Sequence, residues 1–263
     1  MPPAAPAFTQ ACEDRDFAEW HQGCAWCAVW VLWLRAPALA QRVQRARQAL
    51  GPRLWPGYAR QPHVTVAYRG LMAQGAGPAT APFGVAQLRA DIARLQHAPA
   101  WPRVLRVQGS GSFSTVPYLG LDAADAAALQ PLHQALVPEP PAPAWHYVPH
   151  VTLGHYAHSV PMAPILHTLQ AALAGLAPLA CAVPQLWLVR YRTHAIAGPL
   201  VAEGCLDLAT RRYTALPGGA AAALKVQPRR TQKSRAGPGC GEWGLRAQTR
   251  VSVTSMLPRV ALE

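Results

Sequence analysis

The sequence predicts an α+β fold made of two similar halves that face each other, and three observations predict it. Strand and helix patterns alternate along the chain. The order strand, helix, strand, helix occurs twice. The segment Pro62-His63-Val64-Thr65-Val66 of the first half recurs as Pro149-His150-Val151-Thr152-Leu153 in the second. Duplication at this spacing suggests two related units that complete one molecule together.

Composition sets the frame. With 263 residues, 51% of them hydrophobic, the chain can bury a substantial core and is not disordered throughout. The formal charge of +12 is uneven: residues 1–214 carry 16 basic and 10 acidic side chains, and residues 215–263 carry 8 and 2. The body is mildly basic, which suits an anionic ligand without requiring one. Cys24 and Cys27 have C-x-x-C spacing, but they open an apolar run and no second such pair exists, so they read as small buried hydrophobes. The N-terminus has neither the basic start nor the apolar run of a secretory leader, so a cytoplasmic location with reduced thiols is expected.

Each element has its own signature. Cys24 to Leu34 is the most hydrophobic stretch; rich in Val and Trp and closed by Arg35 and Pro37, it predicts a strand buried on both faces and is too short to span a membrane. Ala38 to Leu50 sets Leu39, Val43, Ala46 and Leu50 on one helical face and arginines on the other, ending at Gly51-Pro52. Residues 61–69 alternate as a strand that Gly70 closes, and a Gly/Pro/Ala-rich loop follows from Met72 to Pro82. A helix over Val85 to Gln96 turns Leu88, Ile92 and Leu95 inward. Strands are expected at Arg103–Gln108 and Thr115–Asp122, joined by a flexible Gly109-Ser110-Gly111-Ser112 link. A helix follows from Ala123 to Leu136, then a proline-rich connector, a strand over Tyr147–Tyr156 and a helix over Pro164–Leu176. Gln185–Arg192 and Leu200–Leu208 complete the set as an antiparallel edge pair. Beyond residue 214 periodicity ends, and the basic Gly/Pro/Arg-rich stretch 215–263 reads as a disordered tail outside a 1–214 domain.

The repeated motif carries the chemistry. Residues i and i+2 of a strand share a face, so His63 and Thr65 point one way while Val64 and Val66 pack behind them. His150 and Thr152 stand in the same relation to Val151 and Leu153. A lone histidine in such a setting is usually structural; two in matching positions of a duplicated unit point to function. Cleaving a phosphodiester beside a ribose hydroxyl needs one proton removed and one delivered. Imidazole suits both tasks because both protonation states are populated near neutrality. The threonine hydroxyls can donate to phosphate oxygens. This chemistry needs no metal or other cofactor.

Two H-Φ-[S/T]-Φ motifs (Φ apolar) half a domain apart resemble the hallmark of the 2H phosphoesterases. The segment WPGYARQPHVTVAYRG, residues 55–70, is similar to the first motif of the 2′-5′ RNA ligase and RNA 2′,3′-cyclic phosphodiesterase group. The resemblance covers roughly residues 18–210. It implies a bilobal, pseudo-symmetric α+β fold, with two antiparallel sheets facing a central cleft and helices outside. It also implies a hydrolase that opens 2′,3′-cyclic phosphates of RNA ends or nucleotides to 2′-phosphates, with reversible 2′-5′ ligation. In that direction His150 would activate water and His63 would protonate the departing 3′ oxygen. Two departures bear on substrate preference: Arg69 replaces an often apolar residue, and Gly154-His155 stands where many relatives carry a basic side chain.

Arg69 and Tyr156 share parity with their local histidines, and Arg190 and Arg192 lie on a closing strand, so all four are candidate substrate contacts. His146, His155 and His158 cluster near the second motif, but no acidic partner or ligand spacing makes them a metal site. The expected partners are RNA ends or cyclic nucleotides, with no membrane and no obligatory protein partner. The competing reading is a non-catalytic RNA or nucleotide binder on the same fold.

Overall fold

A computed structural model describes residues 7–13, 15–72, 83–138 and 146–217. The helices are α1 (Ala18–His21), α2 (Pro37–Leu50), α3 (Val85–His97), α4 (Ala123–Leu136) and α5 (Met162–Leu173). The strands are β1 (Trp26–Trp33), β2 (His63–Leu71), β3 (Val104–Ser112), β4 (Pro117–Leu121), β5 (Val151–Thr152), β6 (Leu179–Ala182), β7 (Gln185–Arg192), β8 (Val201–Asp207) and β9 (Tyr213–Ala215). No helix among the described residues is long and apolar enough to cross a membrane.

The strands form one sheet in the order β6-β3-β4-β5-β2-β1-β7-β8-β9, with antiparallel neighbours throughout. The expected pair of facing sheets is therefore corrected to a single sheet. The two motif strands meet at its centre, Val64 opposite Val151. This short pairing joins the two halves of the sheet.

The four long helices all lie on one side of the sheet. Side chains from α2, α3, α4 and α5 all join one core with Val64, Val66, Val151 and Leu153. Helix α2 packs on α5 and reaches β6, while α3 packs on α4. The anticipated inward set of α2 (Leu39, Val43, Ala46, Leu50) is the buried set. On the opposite face a smaller cluster joins Phe17 and Trp20, from and beside α1, to Cys27, Val29 and Val31 of β1, Val189 and Tyr191 of β7, and Ile196 and Leu200 of the following loop. Strand β1 is thus covered on both sides, as its unbroken apolar run required.

Several boundaries differ from expectation. The Gly109–Ser112 stretch is not a link but the end of β3, where Gly109 takes a φ of +73° and the pairing with β4 is irregular. Gly111 is needed there for space: a Cβ would lie 2.5 Å from the Tyr118 hydroxyl, whose ring crosses the glycine. The strand around the second motif is only two residues long; beyond it Leu153 N–H bonds the Pro117 carbonyl and Tyr156 forms an isolated bridge with Leu54. β8 is not an edge, since β9 pairs with it, and β9 ends at Ala215, one residue past the expected domain boundary. The tail reading from residue 218 onward, and most of the loop at 72–82, lie outside the described residues.

Cys24 and Cys27 are buried, and no disulfide joins Cys12, Cys24, Cys27, Cys181 or Cys205.

Candidate active site

The antiparallel register of β2 and β5 brings the two motifs together. With Val64 opposite Val151, His63 falls across from Thr152 and Thr65 across from His150. Residues directly opposite in an antiparallel pair project to the same face. The two histidines and two threonines therefore form a four-residue patch on the side away from the four long helices. The intervening Val64 and Val151, and the following Val66 and Leu153, are at most 1% exposed in the helix-side core. The apolar half of each motif anchors the polar half.

Neighbouring groups hold this seam in register. Tyr147 donates its hydroxyl to the Thr65 carbonyl at 2.8 Å, and the His133 ring stacks on Tyr147 at 4.1 Å between centroids. His133 Nδ1 in turn lies 2.7 Å from the Val66 carbonyl oxygen. A segment just ahead of the second motif is thereby tied to the backbone of the first.

The two imidazoles are held alike. His63 Nδ1 is 2.7 Å from the Gln61 carbonyl oxygen, and His150 Nδ1 is 2.7 Å from that of Val148. A carbonyl oxygen only accepts, so Nδ1–H is the donor in each ring and Nε2 is left to exchange a proton. The same i−2 contact occurs in both copies, although nothing in the HxT pattern announces it.

The surroundings favour neutral rings. Burial pushes His63 down to about 4, against the hydrogen bond to Gln61, with Arg60 and His150 adding positive potential. Burial also lowers His150, opposed by its bond to Val148. His150 is flanked by Phe113 and Tyr118, each with its ring centroid 5.1 Å away. Tyr58, itself 6% exposed, shares a hydrogen bond with Thr152. His155 is pushed down to about 3, by burial first and Arg60 second. It packs against Tyr58 and Trp55, with Nδ1 3.4 Å from Cys12 Sγ. A cavity of about 840 Å³ runs from Thr152 past Tyr58, Arg60 and Trp55 toward Gln44 and Arg47 of α2.

The four candidate substrate contacts are not brought to this patch. Arg69 lies on the helix side, with Nε 2.8 Å from Asp91 Oδ2, and it also donates to the Leu136 carbonyl. Parity fails because β2 is bulged. Val31 pairs with Thr65 but Trp30 with Ala67, and Val29 pairs with Tyr68 but Ala28 with Gly70. Each skipped residue shifts the alternation, so Tyr68 takes the place on the histidine face that simple counting gives to Arg69. Tyr156 is fully buried in the helix-side core with its hydroxyl 2.5 Å from Ser112 Oγ, because β5 ends at Thr152 and alternation does not continue beyond it. Arg190 follows the parity of Leu186 and Leu188 toward the helix side, pairs with Glu203 at 2.8 Å, and lies over Trp26. Arg192 stacks on that same ring at 3.9 Å.

Sequence reasoning missed Tyr58, Arg60, Phe113 and Tyr118. Tyr118 was the accessible one: it pairs directly with Thr152, and strand alternation in β4 sets it on the histidine face. Tyr58 and Arg60 sit in an irregular segment where periodicity says nothing. Among the described residues, no group of three or more His, Cys, Asp or Glu side chains is arranged to hold a metal ion.

Two neighbouring strands that each present His-x-Thr to one face of the sheet make up the candidate two-histidine site. The family model of the 2′-5′ RNA ligase superfamily matches residues 36–195, a span that includes both motifs. The chain belongs to that superfamily, the 2H phosphoesterases that its motifs resemble. Among solved structures it is similar to a phosphoesterase, with 14% identity over 72% of this chain and 95% of the other and a TM-score of 0.37. It is also similar to E. coli LigT complexed with phosphate, with 16% identity over 73% and 95% and a TM-score of 0.38. For E. coli LigT complexed with ATP the corresponding values are 15%, 73%, 95% and 0.35. No match was found among curated proteins.

Proposed function

We propose that this chain is a phosphodiesterase that opens 2′,3′-cyclic phosphates, on RNA ends or free nucleotides, to 2′-phosphates without a metal, and that in reverse it joins 2′-5′ ends. The observation that carries this reading is the matched pair of imidazoles. Both Nδ1 atoms are tied to i−2 carbonyls, both Nε2 atoms remain for proton exchange, and both rings share one sheet face with two threonine hydroxyls.

In hydrolysis, one Nε2 takes a proton from water as its oxygen attacks phosphorus. The P–O3′ bond breaks, and the other Nε2–H gives its proton to the departing 3′ oxygen. Thr65 and Thr152 donate to the non-bridging oxygens. A bound phosphate carries negative charge, which raises the proton affinity of the pair and allows one ring to be charged. We assign that proton to His150, because burial first, and then the charges of Arg60 and a protonated His150, favour a neutral His63. His63 is then the base toward water and His150 the acid toward O3′, the reverse of the roles that the family resemblance implied.

The test is incubation in EDTA with an oligoribonucleotide ending in a 2′,3′-cyclic phosphate. Opening to a 2′-phosphate is expected, with kcat/KM falling about 10²–10⁴-fold in His63→Ala and in His150→Ala. Tight binding without turnover by folded protein would favour the non-catalytic binder. The direction of proton transfer is tested with a 3′-phosphorothiolate analogue, whose departing thiolate needs no acid. His150→Ala is expected to recover on that substrate and His63→Ala is not; the opposite pattern would restore the other assignment.

A further inference from the structure

We infer that Arg60 is the phosphate-binding cation of this site, a role that rests on the phosphoesterase reading above. Two groups on the sheet face fix its position. Its guanidinium lies over the Tyr191 ring, 4.3 Å from the centroid, and one terminal nitrogen donates to the Ile196 carbonyl. The neighbouring backbone is pinned as well: Ala59 N–H donates to the Ala197 carbonyl, and the Gln61 side chain bonds both the N–H and the carbonyl of Leu200. The charge is therefore held in place on a β7-side platform, three residues ahead of His63.

Among the described residues no carboxylate pairs with it. Arg69 and Arg190, on the other side of the sheet, are each neutralised by a carboxylate that is fully buried. None of the ion pairs among the described residues includes Arg60. Its Nε is shielded from solvent and has no hydrogen-bond partner there. A shielded guanidinium donor with nothing to bind is costly to keep, and an anion would satisfy both the donor and the charge. Arg60 lines the same cavity as Thr152 and Tyr58, so an anion engaging it lies beside the second motif. A planar, permanently charged fork suits a phosphoryl group in two-point contact. The positive potential it casts on His63 and His155 agrees with that position.

The assignment gives Arg60 two effects. It attracts the phosphate to the face where Thr65 and Thr152 can donate. It also adds to the burial that keeps His63 neutral before substrate arrives, which a proton acceptor requires. A phosphodiester then screens that charge when it binds.

The experiment uses the full chain and inorganic phosphate as the probe, read by imidazole ¹H–¹⁵N resonances of His63 and His150, with melting temperature as the fold control. Phosphate affinity is expected to fall about 10–100-fold in Arg60→Gln and only a few-fold in Arg60→Lys, which keeps the charge but loses the fork. Without phosphate, His63 in Arg60→Gln is expected to titrate at higher pH than in the native chain. With a cyclic-phosphate substrate the same variant raises KM more than it lowers kcat. A purely structural Arg60 would lower the melting temperature without moving the His63 titration, and that result overturns the proposal. So does native-like phosphate affinity in folded Arg60→Gln, or in Arg60→Lys and Arg60→Gln alike. Phosphate binding that depends on Arg60, with no turnover of any cyclic phosphate, would leave Arg60 in its role and defeat the reaction. Absence of phosphate effects on either native histidine would defeat both.

Discussion

At the scale of single residues, burial decides how this site meets protons. In the unfolded chain an imidazole protonates near pH 6.5. In the folded chain His63 does so only near 4 and His155 near 3. Between those values the unfolded state binds more protons, so unfolding free energy falls as pH drops from about 6.5 toward 4. Urea unfolding at several pH values is expected to show that loss, with a slope shallower by up to one proton in His63→Gln. A variant with the native slope would mean that His63 is already charged in the fold. Thr152 offers a second test at this scale, since the proposed reaction has it donate to phosphate while it is bonded to Tyr58. Removing a hydrogen bond to a charged group by Thr152→Val is expected to lower kcat/KM about 10–100-fold, measured beside an unchanged melting temperature.

At the scale of elements, β2 explains both what the sequence revealed and what it hid. Its first residues obey strict alternation, so His63 and Thr65 are legible as one face with Val64 behind. Two bulges then break the count, and the break is set by how β2 pairs with β1, which no local pattern reports. Arg69 consequently ties β2 to Asp91 of α3, where Trp30 also donates to the carboxylate at 2.9 Å. Arg69→Met is therefore expected to cost about 3 kcal/mol of stability through the partly uncompensated Asp91 and to leave KM unchanged. Denaturant melts and steady-state kinetics check the two halves; a raised KM at native stability would return Arg69 to the substrate. Strand β3 offers a second element-scale test. Gly111→Val puts carbon where the Tyr118 ring crosses the strand, and Tyr118 flanks His150. The variant is expected to fold and lose activity at least several-fold.

At the scale of the molecule, the helix and strand signatures were legible because each rests on local apolar spacing: α2, α4 and the β7–β8 hairpin lie within a residue or two of their expected bounds. The short elements α1, β6 and β9 were not, being too brief for any period to show. The seam at Val64 and Val151 turns two expected sheets into one and makes a single patch of two distant motifs. Among the described residues the last strand is β9, which ends at Ala215. A chain shortened after residue 217 is expected to keep the native melting temperature and kcat/KM. One shortened after Asp207 loses β9 and uncovers β8, and it is expected to melt lower in calorimetry. By itself the sequence determined which groups the two motifs present: a repeated His-x-Thr, with apolar residues between, sets two imidazoles and two hydroxyls on strands whose other face is buried. Only the tertiary structure decided which further groups attend them. The partners of Arg60, Tyr58, Arg69 and Arg190 depend on strand pairing, bulges and irregular loops, and those contacts join residues too far apart in sequence for any local pattern to encode.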